Sequence, residues 1–264
     1  MAINVNTVYR TVLSILNKEQ RGYMTPNEFN RTATQVQLEI FEKYSDDLNQ
    51  QLRFANKQTD VDYANRPENI DEKMAIFKTS GPCTYNVPGG FYVLPTVDTY
   101  GNTVTFYRLG TVVYNNDYGV STEVQRLDRN DFYYTENSPL TKSTTSFPTY
   151  LYEARDAEGV PLIYINPNTI TCPSCISVDF LRKPTDVRWG YTLGNVGQYI
   201  YDSTPYAIGI SPNTEGSTNF EIHVSEQTEV ILKILMYAGV IIRDPEIVQA
   251  AAQQAMIKDQ NEKT

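Results

Sequence analysis

Apolar residues recur at helical spacing near both ends of the chain and in short β-type runs through its middle. Val5, Val8, Val12, Leu13, Ile15 and Leu16, with Tyr9 beside them, repeat every three to four positions and predict a helix over residues 6–16. The pattern breaks at Arg21-Gly22-Tyr23. Thr25-Pro26-Asn27-Glu28 then reads as a helix start. Thr25 can accept from the amide of Glu28, the Glu28 side chain can reach back, and Pro26 takes the first helical position. Phe29, Ala33, Val36, Ile40 and Tyr44 follow as one stripe, widened by Phe41 and Leu48, so a long amphipathic helix is predicted from residue 26 to about 51. Its polar residues Gln35, Glu39, Glu42 and Lys43 are expected to face mostly elsewhere.

Residues 56–71 are polar and read as a loop with a frayed helical end. From 74 to 223 the texture changes to short runs separated by Pro, Gly and Asn. Candidate strands are 74–79, 90–94, 103–109, 120–126, 149–153, 162–165 and 176–181. Asp156-Ala157-Glu158-Gly159 supplies a hairpin turn and Asn166-Pro167-Asn168 a reversal. Ile176-Ser177-Val178-Asp179-Phe180 alternates as a half-buried antiparallel strand does. A short helix is expected near 128–134, and Leu193-Gly194-Asn195-Val196-Gly197 reads as a mobile or turn-rich segment.

Helix returns after Ser225, a plausible cap, with Val230, Ile231, Ile234, Leu235, Ala238 and Ile242. Asp244-Pro245 restarts a second helix through Ile247, Val248, Ala251 and Ala255. The predicted fold is therefore α+β: a helical bundle built from the N- and C-terminal helices, with an inserted antiparallel β domain. Residues 1–72 would form the N-terminal part of the bundle, 73–223 the β-rich domain, and 224–264 the C-terminal helices that complete it.

A hydrophobic content of 41% over 264 residues is globular and large enough for a substantial core. Twenty Tyr against a single Trp suit half-buried strands and subunit contacts. The balance of 22 basic and 31 acidic residues gives −9, with no basic run, which argues against a protein that wraps DNA. An acidic wall would still let DNA slide past without sticking. The longest apolar stretch, 230–242, is interrupted by Lys233 and too short to span a bilayer. Met-Ala-Ile-Asn carries no targeting signal, so the expectation is a chain made in a cytosol without a membrane anchor.

Catalytic material is sparse. His223 is the one histidine, which leaves imidazole triads and two-histidine metal sites without parts. A structural or capping role is expected for it. Cys172-Pro173-Ser174-Cys175 has the spacing of redox pairs and zinc knuckles, but its flanks read as a loop entering a strand, and only Cys83 and His223 remain to complete a zinc site. Two free thiols packed in a turn are expected, and an odd set of three cysteines argues against a disulfide framework. No glycine run opens a helix with Lys-Ser or Lys-Thr, so no phosphate-cradling loop is present. Asp46-Asp47 and Asp128 with Asp131 are carboxylate pairs with nothing nearby to raise a pKa. The expectation is a non-enzymatic protein with no cofactor and no metal.

Residues 244–264 hold a strongly helical run of small side chains. It would either close the bundle or dock on a neighbouring subunit, where small residues permit close approach. Pro245, Val248, Ala251, Ala252, Ala255 and Met256 are the candidate interface residues.

Three groups of segments are familiar. Tyr23-Met24-Thr25-Pro26-Asn27-Glu28-Phe29-Asn30 running into Gln35-Val36-Gln37-Leu38-Glu39-Ile40-Phe41 resembles the opening of structural proteins from crAss-like tailed bacteriophages. So do Ile231-Leu232-Lys233-Ile234-Leu235-Met236-Tyr237-Ala238-Gly239-Val240-Ile241-Ile242-Arg243-Asp244-Pro245-Glu246 and the central Phe147-Pro148-Thr149-Tyr150, Ile163-Tyr164-Ile165-Asn166-Pro167 and Val178-Asp179-Phe180-Leu181-Arg182-Lys183-Pro184, with Trp189 following. The resemblance implies a ring protein of the head-to-tail connector, similar to adaptor or tail tubular proteins. It implies a virion protein made in the host bacterial cytoplasm, with about twelve copies closing into a homo-oligomeric ring. The partners it implies are the portal protein, further tail ring proteins, and double-stranded DNA in transit without specific binding. No catalytic residue is carried over. The rival expectation is a tail receptor-binding module that takes glycans on a Tyr-rich β surface, although such proteins are usually β-dominated to the end.

Overall fold

Asn4 starts the first helix, its side-chain oxygen accepting from the Thr7 amide at 3.0 Å, and α1 runs over Val5–Lys18. The computed structural model describes residues 2–18, 23–53, 66–116, 119–153, 161–206, 216–242, 249, 253, 254, 256 and 257. It has a mixed α+β fold in which N- and C-terminal helices flank a central β-strand region. The chain divides into two compact units, Met1–Ile76 with Pro184–Thr264, and Phe77–Lys183.

In the first unit the expected capping box forms at α2, Pro26–Arg53. The Thr25 amide donates to Glu28 Oε2 at 2.8 Å, and the Glu28 amide donates to Thr25 Oγ1 at 3.4 Å. Those contacts from the Thr25 amide and hydroxyl hold the Glu28 carboxyl below its ordinary value. Helix α3, Arg66–Ala75, packs on α2, while α1 and α2 both pack on α5, Gln227–Ile242. Val8, Val12 and Leu16 of α1, Phe29, Ala33, Val36 and Ile40 of α2, and Val230, Ile234 and Ala238 of α5 are all buried. The end strands also meet: β1, Ala2–Ile3, pairs antiparallel with β13, Phe220–His223.

Two expectations for this unit need correction. Glu39 and Lys43 do not face away from the packing. Lys43 pairs with Glu229 at 3.4 Å, Lys233 reaches Glu39 at 3.6 Å, and the Tyr237 hydroxyl donates to Glu39. That last bond is the main reason the Tyr237 phenol is pushed up to about 12. Glu226 and Glu229 are nearly inaccessible, and each has a lysine, Lys73 reaching Glu226 at 2.5 Å. A buried carboxylate is tolerable only when paired in this way. The run 74–79 is not one strand, because α3 continues through Ala75 to bury Met74. The strand begins at Lys78.

The second unit holds two sheets. One has the order β2-β10-β5-β6, with β2 at Lys78–Pro82, β5 at Phe106–Asn115, β6 at Ser121–Glu123 and β10 at Ile176–Arg182. The other has the order β3-β4-β9-β8-β7, with β3 at Thr84–Asn86, β4 at Phe91–Val93, β7 at Gln125–Arg126, β8 at Thr149–Glu153 and β9 at Leu162–Asn166. Neighbours are antiparallel except β7 and β8, which are parallel. Helix α4, Arg129–Asn137, follows β7. Ile176, Val178 and Phe180 enter one core with Val112 of the same sheet and Tyr92, Tyr150, Ile163 and Ile165 of the other. Asp179 between them is exposed, so the predicted alternation holds on β10. The expected turn at 156–159 lies outside the described residues.

Candidate functional site

Three polar side chains on one face of α2 grip an extended segment of the first unit. Asn30 Oδ1 accepts from the Trp189 amide at 2.7 Å, and its Nδ2 donates to the Trp189 carbonyl at 3.3 Å. One turn on, Thr34 Oγ1 accepts from the Val187 amide at 3.1 Å and donates to the Val187 carbonyl at 3.4 Å. Gln37, 1% exposed, donates to the Thr185 carbonyl at 2.6 Å and accepts from the Glu221 amide at 2.9 Å. Seven helical residues rise about 10 Å. The four extended steps from 189 back to 185 cover about 13 Å. The two repeats therefore stay nearly in step, and side-chain reach absorbs the difference.

The alternate residues of the segment point their backbone the other way. Arg188 exchanges two hydrogen bonds with Thr218, at 3.1 and 2.8 Å. A strand edge that would otherwise present bare amides and carbonyls is thus closed by helix side chains on one flank and by backbone on the other.

This grip seats Trp189. Its indole N–H donates to Asn6 at 3.2 Å, Tyr9 packs 4.4 Å away, and Tyr191 and Tyr201 stack at 5.9 and 5.7 Å. Burial, more than any other cause, drives the Tyr9 phenol well above its ordinary value. Tyr191 and Tyr201 belong to an antiparallel hairpin of β11, Tyr191–Leu193, and β12, Tyr199–Tyr201. The stretch 193–197, read as turn-rich, carries the turn of that hairpin: Gly197 has φ +80 and its amide donates to the Gly194 carbonyl at 2.9 Å. Next to it, the backbones at Gly190 and Gly216 approach so closely that a Cβ on Gly190 would strike the Gly216 carbonyl. Asp202 ties the following loop, accepting from the amides of Thr204 and Gly216 and from the Thr204 hydroxyl. Those donors, the two amides first, hold its carboxyl below the ordinary range.

The result is an open groove of about 520 Å³ between α2 and residues 186–191, with Tyr206 at its side. Asn30 and Thr34 are spent on the ladder, and Trp189 and Tyr191 are nearly inaccessible. The polar groups left to meet a ligand are those of Asn27, Arg31, Asp186, Arg188 and Tyr206. Arg188 lies over the Tyr206 ring, 4.2 Å from its centre. Sequence reasoning missed this groove. The only available signal was the spacing of Asn30, Thr34 and Gln37, each one position after a buried apolar residue of the α2 stripe.

Of the candidate interface residues, Pro245, Val248, Ala251, Ala252 and Ala255 lie outside the described residues; Met256 is helical and 65% exposed. His223 caps the turn Val224–Glu226, its Nδ1 accepting from the Ser225 amide at 3.3 Å, which is the capping role expected of it. Cys172 and Cys175 are joined as a disulfide, which corrects the expectation of two free thiols: the turn between Ile170 and β10 brings the sulfurs within bonding distance. The Tyr92 hydroxyl meets the carbonyls of Ile170 and Cys172 at 3.2 and 3.1 Å and anchors that turn in the β core. Cys83 stays a free, buried thiol whose pKa burial pushes up to about 12. Among the described residues no cluster of three or more metal-ligating side chains occurs, and no helix is long and apolar enough to cross a membrane. No protein-family model matches the chain, and no curated protein matches it.

Proposed function

We propose that this chain is a virion structural protein that forms a ring in the head-to-tail connector of a tailed bacteriophage, below the portal. In this reading a helical bundle built from the N- and C-terminal helices carries an inserted antiparallel β domain. The ring gives DNA a passage and the tail a platform. The observation that carries it is that large apolar side chains stand exposed close together along two stretches of the chain. Tyr133, Tyr134, Leu140 and Phe147 belong to α4 and the loop after it, with Leu140 98% and Phe147 80% exposed. Leu193, Val196, Tyr199 and Ile200 belong to the β11–β12 hairpin, with Val196 88% exposed. Single exposed apolar residues are ordinary, but grouped ones mark surfaces that meet another protein. The resemblance of three groups of segments to crAss-like phage structural proteins supplies the kind of assembly, and an acidic chain suits a wall that DNA must slide past.

Many modest lateral contacts, repeated around a closed heterologous ring, would act together once a portal gathers the subunits. Two-dimensional class averages of the assembled protein test this directly. A ring of about a dozen units with an axial hole is the expected image, since cyclic closure is the common outcome of head-to-tail contacts. A particle without an axial hole, or a chain that stays solitary at high concentration, would sink it. Removal of residues 244–264 should abolish co-sedimentation with portal rings and leave the β unit folded.

A further inference from the structure

The groove beside α2 carries charges without an ion-pair partner among the described residues. Arg31 and Arg188 both line it, and neither has a carboxylate within ion-pair distance among the described residues. In a chain with 31 acidic against 22 basic residues, acidic partners are in surplus, so two arginines in one groove without one are unusual. Asn27 sits one helical turn before Arg31, on the same face of α2. The Arg188 side chain is held over the Tyr206 ring, an arrangement that fixes the guanidinium plane and leaves its N–H edge to a ligand.

The remaining lining narrows the class of ligand. Asp186 stands two residues before Arg188, on the same side of the extended segment, and it too lacks an ion-pair partner among the described residues. With two arginines it leaves the lining one net positive charge, too little for a run of phosphates but a match for one carboxylate. Trp189 and Tyr191 are covered by their neighbours, so no open ring face is offered to a sugar. Two guanidiniums and one amide lining one groove match an isolated carboxylate, which arginine binds through paired N–H groups.

We infer that this groove is the socket for one carboxylate side chain presented by a second copy of the chain. The inference rests on the ring reading above. Its support is charge complementarity: each copy brings a net −9 surface, and this groove is a place where that surface finds two unspent cations. A socket on one copy and an acidic side chain on the next make a heterologous contact, the kind that closes rings.

Sedimentation velocity of the full chain across a concentration series, for the wild type and for the double variant R31E/R188E, tests the socket. A second double variant, R31Q/R188Q, removes the charge without reversing it and stands in should the first fail to fold. The single tryptophan, Trp189, lies in the groove lining and reports occupancy. The wild type should self-associate, about tenfold more tightly than either variant at low salt, and N-acetylglutamate should shift Trp189 emission saturably in the wild type alone. Self-association that is equal in wild type and folded variants overturns the socket and leaves the ring standing. A wild type that remains monomeric throughout overturns the ring reading, and the second copy as occupant with it.

Discussion

The two units hold their extended segments by different physics. In Phe77–Lys183 strands pair backbone to backbone, and the two sheets share a core of Val112, Ile163, Ile176, Val178 and Phe180. In the helical unit the segment 185–189 has almost no strand partner. Its amides and carbonyls are met by Asn30, Thr34 and Gln37 from α2, with Thr218 on the other edge. The first arrangement tolerates any side chain of the right size and polarity, because the backbone supplies the bonds. The second depends on the chemistry of particular atoms, since an aliphatic residue at position 30, 34 or 37 would strand a backbone group without water.

This contrast breaks most clearly at β10. Ile176→Ala should cost about 2–5 kcal/mol through lost burial and a residual cavity. The loss should register in denaturant unfolding followed by far-UV circular dichroism, and less in Trp189 emission, because the one tryptophan belongs to the other unit. Equal shifts in both probes would show that the units do not unfold by separate rules. Next comes Asn30→Ala, which removes both partners of the Trp189 backbone and should cost about 1–3 kcal/mol. Here the order of probes reverses, and Trp189 emission should move first. Asn30→Asp keeps the acceptor and loses the donor, so a loss as large as that of the alanine variant would deny the ladder its specificity.

Thr25→Ala removes the α2 cap and should cost about 1 kcal/mol, read as a lower thermal midpoint. A midpoint unchanged by the substitution would mean that tertiary packing alone sets the start of α2. The smallest expected effect is at Asp202. Its folded pKa lies below the unfolded value, so its contribution is present at neutral pH and fades as pH falls through the lowered value. Asp202→Asn should therefore lower the thermal midpoint slightly at pH 7 and not at all under strongly acidic conditions. A difference that persists unchanged into acid would assign the effect to shape and not to charge.

How far sequence reading reaches varies with how local the cause is. The start of α2 was readable because Thr25, Pro26 and Glu28 act within one turn. The alternation on β10 was readable because one sheet face meets a core. Helix α3 falls partly in a stretch whose sequence reads as loop, since its apolar content is thin and its burial comes from packing on α2. The β11–β12 hairpin escapes because its strands are only three residues each, too short to show a period against the turn residues around them. What seats them is Trp189, stacked at 5.9 Å on Tyr191.

Sequence by itself determined the succession of helical ends around a β-rich middle, because hydrophobic period and caps are properties of neighbouring residues. The tertiary structure alone decided that residues 184–223 belong with the helices, that Cys172 and Cys175 are bonded, and that Arg31 comes to share a groove with Arg188. The helix ladder joins side chains to backbone groups far along the chain, 159 positions away from Asn30 to Trp189. Every residue carries those backbone groups, so no pattern of residue types could announce where the contact would fall.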